Sequence, residues 1–171
     1  MRHDISSNRT RLLVTAALFA AVITLTTAYL LHIPVPTGYV HLGDAFVYLA
    51  ASLLPAPYAV AAAAIGAGLA DLLTYPAWMP ATLVIKAVVA LFFTARGETL
   101  LCRRNVAALF AAAVFSPAAY GAANAVMMGT PLGFWPQFVP TFIQAAANGV
   151  VYAVLARALD TVGLKARLLS R

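Results

Sequence analysis

What most constrains this chain is where it carries no charge. No Asp, Glu, Lys or Arg occurs from Leu12 to Gly43, or from Asn105 to Ala156. A transmembrane helix needs about 20 mainly apolar residues to cross about 30 Å of hydrocarbon. The second uncharged stretch is long enough for two such helices, so the chain is expected to be an integral membrane protein. Composition agrees: 63% of the 171 residues are hydrophobic and 9% are charged, against about 25% charged in a soluble domain. The formal charge of +6 then reads as a topology signal and not as a nucleic-acid surface. Ten of the eleven Lys and Arg fall in three groups: Arg2, Arg9 and Arg11; Arg96, Arg103 and Arg104; and Arg157, Lys165, Arg167 and Arg171. Each group flanks a hydrophobic segment, as cytoplasmic loops do.

Proline and glycine clusters divide the apolar sequence into spans at about 12–31, 43–54, 58–73, 80–95, 106–128 and 136–159. The first follows basic residues as a signal peptide would, but its apolar run is too long for a typical cleaved segment. The second is too short to cross alone, and the charge pattern decides whether it crosses. With five spans, the basic 96–104 loop and the basic C-terminus would face opposite sides. With six, all three basic groups share the cytoplasmic side. The expected architecture is an all-α, six-transmembrane-helix bundle over residues 1–171, with both termini in the cytoplasm. The segment "HIPVPTGYVHLG" (residues 32–43) then dips into the protein, the setting in which non-helical backbone is tolerated at membrane depth.

Apart from Arg157 at the basic end of the sixth span, three charged groups remain inside the spans: Asp44, Asp71 and Lys86. The topology places all three toward the outer face, Lys86 roughly 9 Å inward from the start of its span. Intramembrane charges are costly and face one another or a polar cavity. Lys86 and Asp71 are the expected ion pair, since a short connection makes their helices neighbours. Asp44 either caps the amides of the helix it opens or lines a site open to the outside. Other polar groups join them, Asn124 and Gln144 as the stronger ligand-contact candidates and Asn148 and Tyr152 deeper. Asn124 is near the outer end of the fifth span, and Gln144 and Asn148 share one face of the sixth at i, i+4. Tyr152 follows one turn deeper. The outer loops and their flanks carry Tyr29, Tyr39, Tyr75, Trp78, Phe134 and Trp135. These form either an interfacial belt or, for some, the wall of an outer pocket; Tyr39, Trp78 and Trp135 are taken as pocket candidates. His41 is a candidate ligand-bonding residue. In the first span Ala16, Ala17, Ala20 and Ala21 form small-xxx-small pairs, which let another helix approach closely.

Nothing in the chain calls for a cofactor or a metal. It has no G-x-x-x-x-G-K-[ST] loop, no H-E-x-x-H and no G-x-S-x-G, and its one cysteine, Cys102, cannot form a disulfide framework. An enzyme is not expected. A subunit that captures a small molecule is, with a non-transporting structural or assembly subunit as the alternative. A pocket of two carboxylates, one lysine and several aromatics suits a flat, polar, nitrogen-containing ring.

The stretches "IPVPTGYVHLGDAFVYLAA" and "GAGLADLLTYPAWMPATLVIKAVVAL", following a basic N-terminus and an alanine-rich helix, resemble the substrate-binding S components of energy-coupling factor (ECF) vitamin transporters. The nearest resemblance is to the group handling hydroxymethylpyrimidine, pyridoxine and related heterocycles. It covers nearly the whole chain; the last two spans match by hydropathy and length. The resemblance implies a six-helix bundle in the bacterial plasma membrane, surrounded by lipid. Such a bundle binds a vitamin at its outer face under the first loop. It also implies partners: a transmembrane scaffold subunit and two ATPase subunits. The scaffold would dock on the face of the first helix carrying Ala16, Ala17, Ala20 and Ala21.

Overall fold

The computed structural model describes residues 2–30, 32–35, 38–163 and 165, with side chains described from Asn8 onward. Arg167, Arg171 and the side chain of Arg2 lie outside the described residues. The described residues form an all-α structure with one small hairpin: α1 (Arg2–Ala28), β1 (Ile33–Val35), β2 (Gly38–Val40), α2 (Asp44–Leu53), α3 (Ala56–Thr74), α4 (Met79–Phe92), α5 (Arg103–Met127) and α6 (Phe134–Thr161). Short 3-10 turns at Pro76–Trp78 and Pro131–Gly133 join α3 to α4 and α5 to α6. Asn8–Ala28, Ala56–Thr74, Arg103–Met127 and Pro131–Thr161 are long and apolar enough to cross a membrane. Asp44–Leu53 and Pro76–Phe92 are apolar but shorter.

The first helix begins ten residues before the expected span. No Gly or Pro precedes Pro34, so nothing breaks the helix on its basic side, and the uncharged stretch marks only its apolar part. Proline marks the starts of α3 and α4. Pro55 precedes α3, and a proline sits in the first turn of both α3 and α4. There the missing N–H has no intrahelical partner to lose.

The side chains are arranged as in a protein solvated by lipid. Large apolar residues point outward, among them Phe110 (72% exposed), Val114, Val150 and Val154, while the interior is rich in alanine. Small interior residues bring helices together. A Cβ on Gly66 of α3 would lie 2.7 Å from the Ala20 carbonyl oxygen of α1 and 2.9 Å from the Ile23 Cβ. The Thr24 hydroxyl donates across the same contact to the Gly66 carbonyl at 2.8 Å. This contact divides the alanine stripe. Ala16 is buried and Ala20 half-buried within the bundle, whereas Ala17 and Ala21 are exposed.

The segment 32–43, expected only to be irregular, contains an antiparallel hairpin pairing Ile33 with Val40 and Val35 with Gly38. The chain then enters α2 beside α1. A side chain at Gly43 would collide with the Thr27 hydroxyl, so glycine is what lets α2 start there. At the far end, Tyr152 donates to the Leu100 carbonyl (2.8 Å) and bonds Ser52 (2.7 Å), which ties α6 to the end of α2 and the α4–α5 loop.

Gly66→Val should drive α1 from α3. Overpacking of this kind costs about 1–3 kcal/mol, so the purified variant should melt at lower temperature in detergent. An unchanged melting temperature would mean that the two helices are not in close contact.

Candidate functional site

A small cavity opens where the hairpin meets the upper parts of α3, α4, α5 and α6. Tyr39 and His41 contribute from the hairpin side and Asp71 from α3. Trp78 and Thr82 come from the start of α4, Tyr120 from α5, and Gln137, Thr141 and Gln144 from α6. Its volume is about 40 Å³, room for roughly three waters at 10–15 Å³ each.

Beneath this cavity is a buried charge pair. Lys86 Nζ lies 2.7 Å from Asp44 Oδ1, and both side chains are almost fully buried. The expected pairing of Lys86 with Asp71 is therefore corrected. Asp44 also does not cap α2: no side-chain cap bond is made there. Its second oxygen accepts from Gln144 Nε2 at 3.1 Å, and the α2 amide of Ala45 is taken instead by Asn148 Oδ1 at 2.8 Å. The physical reason lies in α2 being only ten residues long. It starts deep in the bundle, level with Lys86 and Gln144, where an ammonium is a stronger partner for a carboxylate than a backbone amide. Lys86 Nζ also sits 5.1 Å from the centre of the Tyr120 ring, a cation–π distance.

Gln144 and Asn148 clamp the chain entering α2. Gln144 Oε1 accepts from the His41 amide at 3.1 Å. Asn148 Nδ2 donates to the His41 carbonyl at 2.8 Å and to the Gln144 carbonyl at 2.9 Å. The Gly43 amide donates to His41 Nδ1 at 3.0 Å. His41 Nε2 lies 3.3 Å from Gln144 Nε2, so both ring nitrogens are engaged within the protein. His41 lies in the loop ahead of α2 and is buried.

The hairpin's own contact is on α3. The Tyr39 hydroxyl donates to Asp71 Oδ1. The His32 ring stacks on Tyr39 at 4.0 Å while its Nδ1 lies 3.1 Å from the Thr27 carbonyl oxygen. Asp71 Oδ2 is buried and makes no hydrogen bond among the described residues, and the same holds for Gln137 Oε1. The Thr82 hydroxyl is engaged with Tyr120 at 2.9 Å. One side of the cavity is therefore aromatic, with Trp78 and Tyr120 in edge contact at 5.7 Å, and it contains two acceptors without donors.

Of the candidates read from sequence, Tyr39, His41, Asp71, Trp78 and Gln144 line the cavity. Asp44, Lys86 and Asn148 form the layer below it. Asn124 holds the α5–α6 turn, donating to the Gly133 carbonyl at 2.7 Å. Trp135 is 63% exposed and packs on Phe134 and Phe138, away from the cavity, and Tyr29 and Tyr75 are likewise exposed. Thr82, Tyr120, Gln137 and Thr141 were not singled out. Three were accessible by helical spacing: Gln137, Thr141, Gln144 and Asn148 are one stripe at i, i+4, i+7 and i+11, and Thr82 is one turn from Lys86.

A family model described as the ECF-type riboflavin transporter S component matches residues 7–162. The chain belongs to this family. It is thus an ECF S component, the substrate-binding subunit of a vitamin transporter, and a multi-pass membrane protein rather than an enzyme. Family membership implies a small-molecule substrate and association with an ECF module. No curated protein sequence matches the chain.

For this S component, removing one partner of the Asp44–Lys86 pair should leave an uncompensated buried charge, a loss of about 3–5 kcal/mol. Asp44→Asn should therefore melt far below the parent, and Asp44→Asn combined with Lys86→Met should recover much of the difference. A double variant no better than the single would mean that the two charges do not compensate each other.

Proposed function

We propose that this S component captures a flat, single-ring nitrogen heterocycle of the hydroxymethylpyrimidine or pyridoxine kind at its outer face. It would pass this ligand to an ECF module of one transmembrane scaffold subunit and two ATPase subunits. In this reading the chain crosses the bacterial plasma membrane six times, with both termini in the cytoplasm. The short α2 completes its crossing through the hairpin. The exposed Ala17 and Ala21 mark the side of α1 left for the scaffold, with Ala16 and Ala20 already used by the bundle. Membership in a family of substrate-binding subunits favours capture over the alternative of a non-transporting assembly subunit.

The observation that carries the ligand class is the pair of buried acceptors without donors, Asp71 Oδ2 and Gln137 Oε1, on residues lining one small cavity. A buried acceptor left unpaired is costly. A ring bearing an amino group or N–H satisfies such acceptors while stacking on Trp78 or Tyr120. Because the cavity holds only about 40 Å³, entry requires it to widen. Tyr39 is the natural gate, since its bond to Asp71 is the contact between hairpin and α3 that a ligand would replace.

The second reading follows the family's description and assigns the three-ring riboflavin. A single ring needs less widening of the small cavity than three fused rings, which favours the first reading. Thermal shift of the purified protein against hydroxymethylpyrimidine, pyridoxine and riboflavin separates the two readings. A single-ring compound should raise the melting temperature, and Asp71→Asn should weaken its binding by roughly 10- to 100-fold, the worth of one hydrogen bond to a charged group. Stabilisation by riboflavin alone would replace this assignment with the second reading.

A further inference from the structure

A second and larger cavity lies at the opposite, arginine-rich end. It occupies about 860 Å³ between the first half of α1, the turn joining α2 to α3, and the end of α4. This space exists because α1 packs chiefly on α3 and α4 packs on α3 and α5, which leaves a gap between α1 and α4 over the end of the short α2. Its walls are apolar, with Leu12 and Phe19 from α1 and Leu54 and Phe93 opposite. Arg11, Arg96 and Arg104 also line it, and all three are exposed. Arg104 donates to the carbonyls of Phe92 and Leu91 at the end of α4 (3.3 and 3.5 Å). None of the lining residues is acidic, and among the described residues no carboxylate pairs with these arginines.

We infer that this crevice is a binding site for an anionic phospholipid, with the phosphate on Arg11, Arg96 and Arg104 and an acyl chain along the apolar slot. Guanidinium groups bind phosphate through paired, charge-assisted hydrogen bonds. The positive-inside bias assigns this end to the cytoplasmic leaflet, whose surface supplies anionic lipid, and basic pockets between transmembrane helices on that side suit such headgroups. A guanidinium at a membrane boundary with no carboxylate partner is satisfied by that headgroup. The slot below it is continuous with the hydrocarbon that the lipid's chains already occupy. The site is independent of the outer cavity and of which vitamin the outer cavity holds.

Native mass spectrometry of the detergent-purified protein, supplied with phosphatidylglycerol or phosphatidylcholine of equal chain length, tests this. The parent should retain phosphatidylglycerol in preference to phosphatidylcholine. Arg96→Gln with Arg104→Gln should lower that retention by about tenfold or more. Thr15→Trp fills the slot while leaving every charge and topology signal in place, and it should lower retention as well. Equal retention of the two lipids by the parent would overturn the site. Undiminished phosphatidylglycerol retention in Thr15→Trp would reduce the effect to surface charge and also overturn it. Loss of ECF-module assembly in the arginine variant, without lipid preference in the parent, would assign the crevice to a protein partner instead.

Discussion

An ammonium and a carboxylate 2.7 Å apart, inside a bundle with alanine walls, fix the position of everything above them. Neither charge is tolerable alone at that depth, so Lys86 of α4 and Asp44 of α2 hold their helices at one level. Gln144 of α6 joins through Asp44, and Tyr120 of α5 through its ring face over Lys86. Four helices thus meet at one polar layer. The cavity is the space left above that layer, and its shape follows from the fixed heights of those helices.

The hairpin closes this space because α2 is short. A ten-residue helix cannot span the full height of the bundle, so the chain between α1 and α2 must descend to meet it. Its buried backbone then needs partners, and Gln144 and Asn148 provide them at His41 and Ala45. Only after that demand is met is Tyr39 positioned over Asp71. The same shortness of α2 leaves the arginine-lined crevice at the other end, so one element's length shapes both cavities.

Much of this was legible in the sequence, and the exceptions have physical causes. Uncharged runs and proline punctuation located the six helices, because hydrocarbon excludes charge and proline excludes helix. Topology brought Asp44, Asp71 and Lys86 toward one end of the bundle, with Gln144 as a polar neighbour. Pairing was harder to read: short connections favoured Asp71 for Lys86, while the actual partner depends on how far residues 32–43 descend, which no periodicity reports. Asn148 looked like a possible ligand contact, yet it satisfies backbone amides and carbonyls whose burial is invisible before the fold is known. The two tryptophans were indistinguishable as aromatic residues in outer loops. Packing separates them, Trp78 being buried at the cavity and Trp135 exposed.

That separation provides the most direct measurement. The chain contains only two tryptophans, so Trp135→Phe leaves Trp78 as the sole indole and Trp78→Phe leaves Trp135. Intrinsic fluorescence of each variant is recorded while the stabilising heterocycle is titrated in. If the ligand enters the cavity over the Asp44–Lys86 layer, emission changes with saturation in Trp135→Phe and stays flat in Trp78→Phe. A saturable change that follows Trp135 and leaves Trp78 silent would place the ligand elsewhere and contradict the account.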